Sequence, residues 1–285
     1  LLPHRQDAFD TMLANYMLRR TKAEVAPDLP PKMYAGTPLA YLDDGSPDPT
    51  TVGVWLEMDP TQAKFYKEME REALARIEGG TLTANGILAE MTRLKQFSSS
   101  TYRFTSDSDS DRPVPILPSN KYDWLVEFLA ERQGTGRKVV IASQYTSLIN
   151  MASEQLTRDG FPSYVLTGET KQGDRATLIS QFQNADDSVQ VFLINTKAGG
   201  VAITLDAADE LVFLDETYIP DDQIQVEDRI HRVSRLHQVT IYYLRSLGTI
   251  EESIAAITGA RDVLTRRALD GSRGIDISRK LLSNA

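Results

Sequence analysis

Apolar and polar positions follow two rhythms along this chain, and the rhythm changes near residue 121. Before that point the pattern is helical and interrupted. Residues 5–24 place Met12, Leu13, Tyr16 and Met17 on one helical face. Pro27, Pro30 and Pro31 then stop regular structure, and the segment reads as a linker. Residues 52–58 (VGVWLEM) read as a strand. Asp59-Pro60 opens a helix running to about Ile77, because proline suits the first helical position. Gly79-Gly80 break it, and a further helix covers about 84–96. Residues 98–119, rich in Ser, Asp and Pro, read as a mobile surface loop.

From residue 121 short apolar runs alternate with amphipathic helices. The expected strands are 138–143, 163–168, 189–195, 210–216 and 239–244. The expected helices are 122–132, 146–158, 173–183, 221–234 and one starting near 249. This alternation predicts a doubly wound α/β domain with a parallel sheet covered on both faces. In such a sheet ligands gather at the carboxyl ends of the strands, so the loops after 143, 168, 195 and 216 become the places to search. The division expected is 1–32, the end of a preceding unit and a linker; 33–120, a first strand and small helical insertion; and 121–285, the sheet domain with a terminal helix.

Composition narrows the chemistry. The 285 residues are 41% hydrophobic and 25% charged, which fits a folded globular chain and excludes a largely disordered one. No apolar run approaches the ~20 residues of a membrane span. The chain has no cysteine, which excludes disulfides, thiolate metal sites and a cysteine nucleophile. Three histidines leave little for a zinc site, so no metal site is expected. The chain opens at Leu1 rather than Met, as a fragment of a longer protein would.

The formal charge of −9 argues against a generally basic nucleic-acid binder, but the charge is unevenly spread. Residues 206–228 carry nine acids and no Lys or Arg. Residues 229–250 carry Arg229, Arg232, Arg235 and Arg245 and no acid.

Four stretches could carry chemistry. No G-x-x-x-x-G-K-[ST] spacing occurs, so the chain lacks the phosphate loop that a lone ATPase of this type needs. Asn195 to Gly200 (NTKAGG) follows a strong strand. Its glycines let backbone approach a phosphate, and an ordinary strand-to-helix turn is the alternative. Arg229 and Arg232 are three apart on a predicted helix. They form either a paired donor fork for a polyphosphate or a solvated pair bridged to nearby acids. Asp215-Glu216 reads as a Mg²⁺-binding pair or as an acidic loop at the sheet edge. Tyr218 is open between core packing and contact with nucleic acid, whereas His231 and His237 read as surface or hydrogen-bonded residues.

Several blocks, in order, resemble the C-terminal half of Swi/Snf-type ATPases, DNA translocases of helicase superfamily two. They are MLRRTKAEVAPDLPPK (17–32), VWLEMDPTQAKFYKEM (54–69), SNKYDWLVEFLAERQGTGRKVVIASQYTSL (119–148), YVLTGETKQGDRATLISQFQN (164–184), INTKAGGVAITLDAADELVFLDETYIP (194–220), QVEDRIHRVSR (225–235) and VTIYYLRSLGTIEESI (239–254). The resemblance implies a RecA-like, P-loop-NTPase-type lobe with a small helical insertion. ATP and Mg²⁺ would be used by a two-lobe parent, and this fragment alone would hold neither.

The site residues follow from the same resemblance. Arg229 and Arg232 match arginine fingers, and Gln225 and Gly200 match positions lining the nucleotide cleft. Gln144, Tyr145, Thr196, Lys197, Gly199 and Tyr218 match positions along the DNA path. Implied partners are double-stranded DNA and the N-terminal ATPase lobe of the same polypeptide, with no membrane and a monomeric state. The short insertion suggests a bacterial or viral source, hence cytoplasm or nucleoid, with the nucleus the alternative in a eukaryote.

Five residues, in three places, depart from the family. Ser234 and Arg235 stand where Gly and Gln are usual, which puts nucleotide contacts there in question. Ala202 replaces a Gly, and Tyr218-Ile219-Pro220 replaces Trp-Asn-Pro. Other readings are an RNA-directed motor of the same superfamily, against which the GTIEES continuation (248–253) argues, and a non-catalytic module that kept the fold. A self-sufficient Rossmann enzyme would need a G-x-G-x-x-G that is not present.

Overall fold

The computed structural model describes residues 22–39, 51–78, 84–105, 112–184, 188–197 and 203–257. Nine strands are present among them: β1 (Met33–Ala35), β2 (Val54–Leu56), β3 (Thr101–Thr105), β4 (Arg112–Ile116), β5 (Val139–Ser143), β6 (Ser163–Leu166), β7 (Val191–Asn195), β8 (Glu210–Phe213) and β9 (Thr240–Ser246). Seven form one parallel sheet in the order β6-β7-β5-β8-β9, with β1 and β2 both on the outer edge of β9.

The central strands are apolar except at their ends because both faces are covered. Successive residues of β5 go to opposite sides. Val139 and Ile141 join Leu125, Ile149 and Leu156 on one face. Val140 and Ala142 join Phe182, Val226 and Ile230 on the other. Period-two alternation between two cores, rather than between core and water, explains why these strands read as continuous apolar runs.

The chain travels from β5 past β7 to β6, returns to β7, then crosses β5 to reach β8. The direction of winding therefore reverses on either side of β5. Such a reversal opens a crevice at the carboxyl ends of the neighbouring strands.

The front of the chain is tied to this sheet more closely than the sequence suggested. β1 pairs with Thr240–Tyr242 and β2 with Leu244–Ser246, so two short strands share one edge of β9. Gly36 sits between them at φ +117°, and a Cβ there would lie 2.1 Å from the Gly53 carbonyl oxygen. Only glycine fits that crossing. Helices Pro60–Glu78 and Ala84–Ser99 pack on each other around Tyr66, Met69, Ala73, Leu94 and Phe97.

The loop expected over 98–119 is instead built structure, apart from 106–111, which lie outside the described residues. Ser98 and Ser99 end a helix and are fully buried, and β3 and β4 pair antiparallel. The serine-rich composition misled because each described serine hydroxyl of the stretch has a carbonyl to bond. Ser98 and Ser99 donate to the Lys95 carbonyl, Ser100 to Ile116 and Ser119 to Ser99. Side-chain bonds of this kind satisfy backbone where the helix stops. The helix expected over 5–24 falls outside the described residues except for Lys22–Val25, which is helical.

Candidate nucleotide and nucleic-acid interface

Two clusters emerge, at different places on the lobe. The first lies at the crevice. Ser143 closes β5 and donates its hydroxyl to Asp215. Gln144 turns its amide inward, donating to Asp215 at 2.8 Å and to the Glu216 carbonyl at 3.1 Å. Asn195 donates to the Gln144 carbonyl at 3.0 Å, and its own side-chain oxygen accepts from the Lys197 N–H at 2.9 Å. Thr196 is buried, and its hydroxyl has no hydrogen-bond partner. Lys197 is exposed at the rim.

Tyr145 precedes helix Thr146–Arg158 and packs against the core, with its hydroxyl reaching the Thr92 carbonyl at 3.5 Å. Burial raises its phenol pKa, so it stays neutral. Tyr218 is half-buried beneath the Lys95 ammonium, 4.5 Å from its ring centre. Of the residues matched to the DNA path, Gln144 and Tyr145 thus have internal partners, and Lys197 has an outward side chain. Gly199 and Gly200 lie outside the described residues.

Asp215 and Glu216 also settle inward. Asp215 accepts from Ser143 and Gln144, and Glu216 accepts a two-pronged pair from Arg245, one arm at 3.0 Å. Their oxygens are held by protein donors, which favours the acidic-loop reading over a Mg²⁺ pair. Among the described residues no group of three or more His, Asp or Glu is arranged to hold a metal. Lys121 donates to Glu251 at 2.6 Å and to the Leu214 carbonyl at 2.7 Å. Lys95 donates to the Glu216 carbonyl. Burial pushes the Lys95 ammonium below its ordinary pKa despite Asp215, Glu251 and Glu216 nearby.

The second cluster is the turn that ends helix Pro220–Ile230. Proline starts this helix, and Asp221 and Asp222 suit its positive end. Val226 and Ile230 face the core. That orientation turns Gln225, which is exposed, and Arg229, which is half-buried, away from it; the helix expected over 221–234 stops at Ile230, so Arg232, also half-buried, sits in the turn beyond it. The Arg229 carbonyl accepts from Leu205, and Arg232 donates to the Ile203 carbonyl at 3.3 Å. The Nε of both arginines is shielded from solvent yet has no acceptor. Neither guanidinium forms an ion pair with any described residue. A buried donor of a cation without an acceptor is costly unless a ligand supplies one.

Ser234 and Arg235, the departures, are structural here. Ser234 donates to Asp206 at 2.6 Å. Arg235 is buried and donates to the carbonyls of Asp206 at 2.5 Å, His237 at 3.2 Å, and Ala208. The turn is pinned by Arg235 and leaves the Nε donors of Arg229 and Arg232 without an acceptor.

The linker lies across the same turn, which sequence reasoning missed. Lys22 donates to the His231 carbonyl and pairs with Asp228, both at 2.7 Å. Lys32 pairs with Glu227 at 2.7 Å and with Asp228 at 3.0 Å. Tyr34 and Tyr243 donate to Glu227 at 3.1 Å and 2.6 Å. His231 bonds the Pro30 carbonyl at 2.7 Å. A carbonyl only accepts, so His231 carries its proton on Nε2 and leaves Nδ1 bare and unpartnered. Burial works against the charge on Asp228, but Lys22 and Lys32 outweigh it and hold the carboxyl below its ordinary pKa. No periodicity could reveal these pairs, because the partners are about two hundred residues apart.

Residues 120–234 match the helicase conserved C-terminal domain family. A probable ATP-dependent DNA helicase, CHR23, of Arabidopsis thaliana is 27% identical over 241 residues, covering 84% of this chain and 21% of that protein. The chain spans about a fifth of the length of the curated relatives it matches. Among solved structures, the C-terminal part of the Fun30 ATPase domain superposes with a TM-score of 0.64 at 21% identity, covering 81% of this chain and 89% of that one. The Sulfolobus solfataricus SWI2/SNF2 ATPase core in complex with double-stranded DNA gives 0.61 at 24%, covering 92% and 50%. Plant and archaeal matches lend no support to the bacterial or viral source expected from the short insertion.

Proposed function

We propose that this chain, a C-terminal motor lobe of the Swi/Snf helicase family, completes an ATP-driven motor that tracks along double-stranded DNA. Its contribution to catalysis is Arg229 and Arg232, offered to the phosphates of a nucleotide held mainly by a preceding lobe. The observation that carries this reading is the pair of half-exposed guanidinia whose Nε donors have no protein acceptor. A planar fork held ready for an anion suits a polyphosphate better than a lone ammonium does. Placed in advance, it stabilises charge that develops on the transferring phosphoryl group. Mg²⁺ would come with the nucleotide, because the acidic pair of this lobe is bound to its own side chains.

DNA contact is proposed at the crevice rim. Lys197 is the outward cation there, with Thr196 beside it, and Gln144 and Tyr145 shape the rim from within. Phosphate contacts of this kind are independent of base sequence and weaken steeply with salt. By analogy with the fungal chromatin-remodelling ATPases to which the chain is also similar, the compartment proposed is the nucleus.

The test joins this chain to its natural upstream segment. ATP turnover stimulated by duplex DNA is expected, and the chain alone should be silent. Arg232→Ala should cut turnover by at least ~10²-fold while leaving DNA binding nearly intact. Equal loss of DNA binding would move the arginines to the DNA groove. RNA stimulating better than DNA would move the motor to another branch of the superfamily, and silence in both forms would favour a non-catalytic module.

A further inference from the structure

The two acids that flank Arg229 on its own helix pose a problem for any arginine meant to meet phosphate. Arg232 lies two residues past the helix end, and Lys22 bridges the Asp228 carboxylate to the carbonyl of His231, the residue next to it. Asp228 also adjoins Arg229 in sequence. A carboxylate released at this turn could pair with one of these guanidinia and neutralise it. In the structure Asp228 does not. Its carboxylate is held by Lys22 at 2.7 Å and Lys32 at 3.0 Å, and Glu227 is held by Lys32, Tyr34 and Tyr243.

The donors come from the linker rather than from the lobe's own core. Lys22 also caps the end of the arginine helix through the His231 carbonyl, a place where a cation is favoured. β1, which follows Lys32 directly, is anchored on β9, so the linker's course over the helix is fixed at that end.

We propose that Lys22 and Lys32 are positioning residues: they draw Asp228 and Glu227 away from Arg229 and Arg232 and so keep both guanidinia free for an anion. That the anion is nucleotide phosphate rests on the function proposed above; the sequestration itself does not. Because these lysines belong to the segment entering the lobe, displacement of that segment would quench the arginines. The linker would then gate the site as well as tether it.

The test reads the arginines directly in the full chain. Nitrogen-15 NMR of Arg229 and Arg232 should show fast exchange of their outer Nη–H groups with water in the native protein, the Nε–H groups being shielded. In Lys22→Gln/Lys32→Gln at least one should become protected and shift as an ion-paired guanidinium does. Adding Asp228→Asn should reverse this. Unchanged Nη–H signals in the double variant, or protection that Asp228→Asn does not remove, would overturn the proposal. If the double variant does not fold, Lys22→Gln alone, at a one-third-exposed position, carries the same comparison.

In the two-lobe protein the double variant should lose ~2–5-fold in turnover, the size of a partly exposed ion pair. Asp228→Asn in that background should restore it, whereas a merely structural lesion would stay or deepen. An Arg232→Ala protein with undiminished turnover would sink the nucleotide reading while leaving the NMR result to decide the sequestration.

Discussion

The lobe contains two sets of arginines that differ in how their charge is answered. Arg245, at the end of β9, is buried and faces Glu216 with two donors, while Arg229 and Arg232 are half-exposed with Nε donors facing no acceptor. Burial would discourage charge on Arg245, but Glu216 outweighs it and raises the pKa above its ordinary value. Around it Lys121 pairs with Glu251, and Lys95 reaches over from the insertion to the Glu216 carbonyl. The first set joins insertion and sheet into one body. The second is left incomplete by a fold that completes its buried cations, Lys95, Lys121, Lys138, Arg235 and Arg245. One residue type therefore serves as cement in one place and as an unpaired donor in another, and the difference lies in whether the acceptor belongs to the chain.

That contrast is sharpest in stability. Arg245→Ala should destabilise the lobe by ~3–5 kcal/mol, because Glu216 would be left buried and uncompensated. Urea denaturation followed by circular dichroism measures it. A loss below ~1 kcal/mol would mean that water answers Glu216 and that the brace is not structural. Next in size is Arg235→Ala, which strips donors from three backbone carbonyls and should cost about 1–3 kcal/mol. Arg229→Ala and Arg232→Ala should lie within about 0.5 kcal/mol of the native chain, as surface substitutions do. If Arg232→Ala destabilised as much as Arg235→Ala, the division between pinned and unspent arginines would fail.

The sequence made one of these regions more legible than the other. Periodicity located the central strands and the arginine helix to within a few residues, because both depend on local repeats of apolar positions. The arginines themselves were visible as a spaced pair. What escaped was long-range pairing. Arg245 and Glu216 are 29 residues apart, Lys121 and Glu251 are 130 apart, and Lys32 and Glu227 are 195 apart. No local window contains such partners. The serine-rich stretch failed for a related reason: Ser98, Ser99 and Ser119 look solvated by composition, yet each bonds a carbonyl inside the fold. Asp215-Glu216 invited a catalytic reading until Arg245 and Ser143 were seen to occupy it.

The smallest effect probes the border between the regions, where the linker crosses the arginine turn. Burial lowers the His231 pKa below its ordinary 6.5; the Pro30 bond opposes this, and Lys32 and Lys22 add to it. The native state therefore keeps His231 neutral to a lower pH than the unfolded chain, which binds a proton as pH falls below about 6.5. Stability from this group is fully present above that pH and declines as pH falls through it, with a slope of less than one proton. Unfolding free energy measured from pH 8 to pH 5 should show this decline, superposed on that of the carboxylates. His231→Gln keeps a donor for the Pro30 carbonyl but cannot take up a proton. It should remove the histidine part of the slope and leave the rest. A slope identical in both proteins would mean that His231 protonates freely in the folded state and that the linker does not seal it. The same protein would then be expected to hold Asp228 loosely, and the arginines would no longer owe their freedom to the linker.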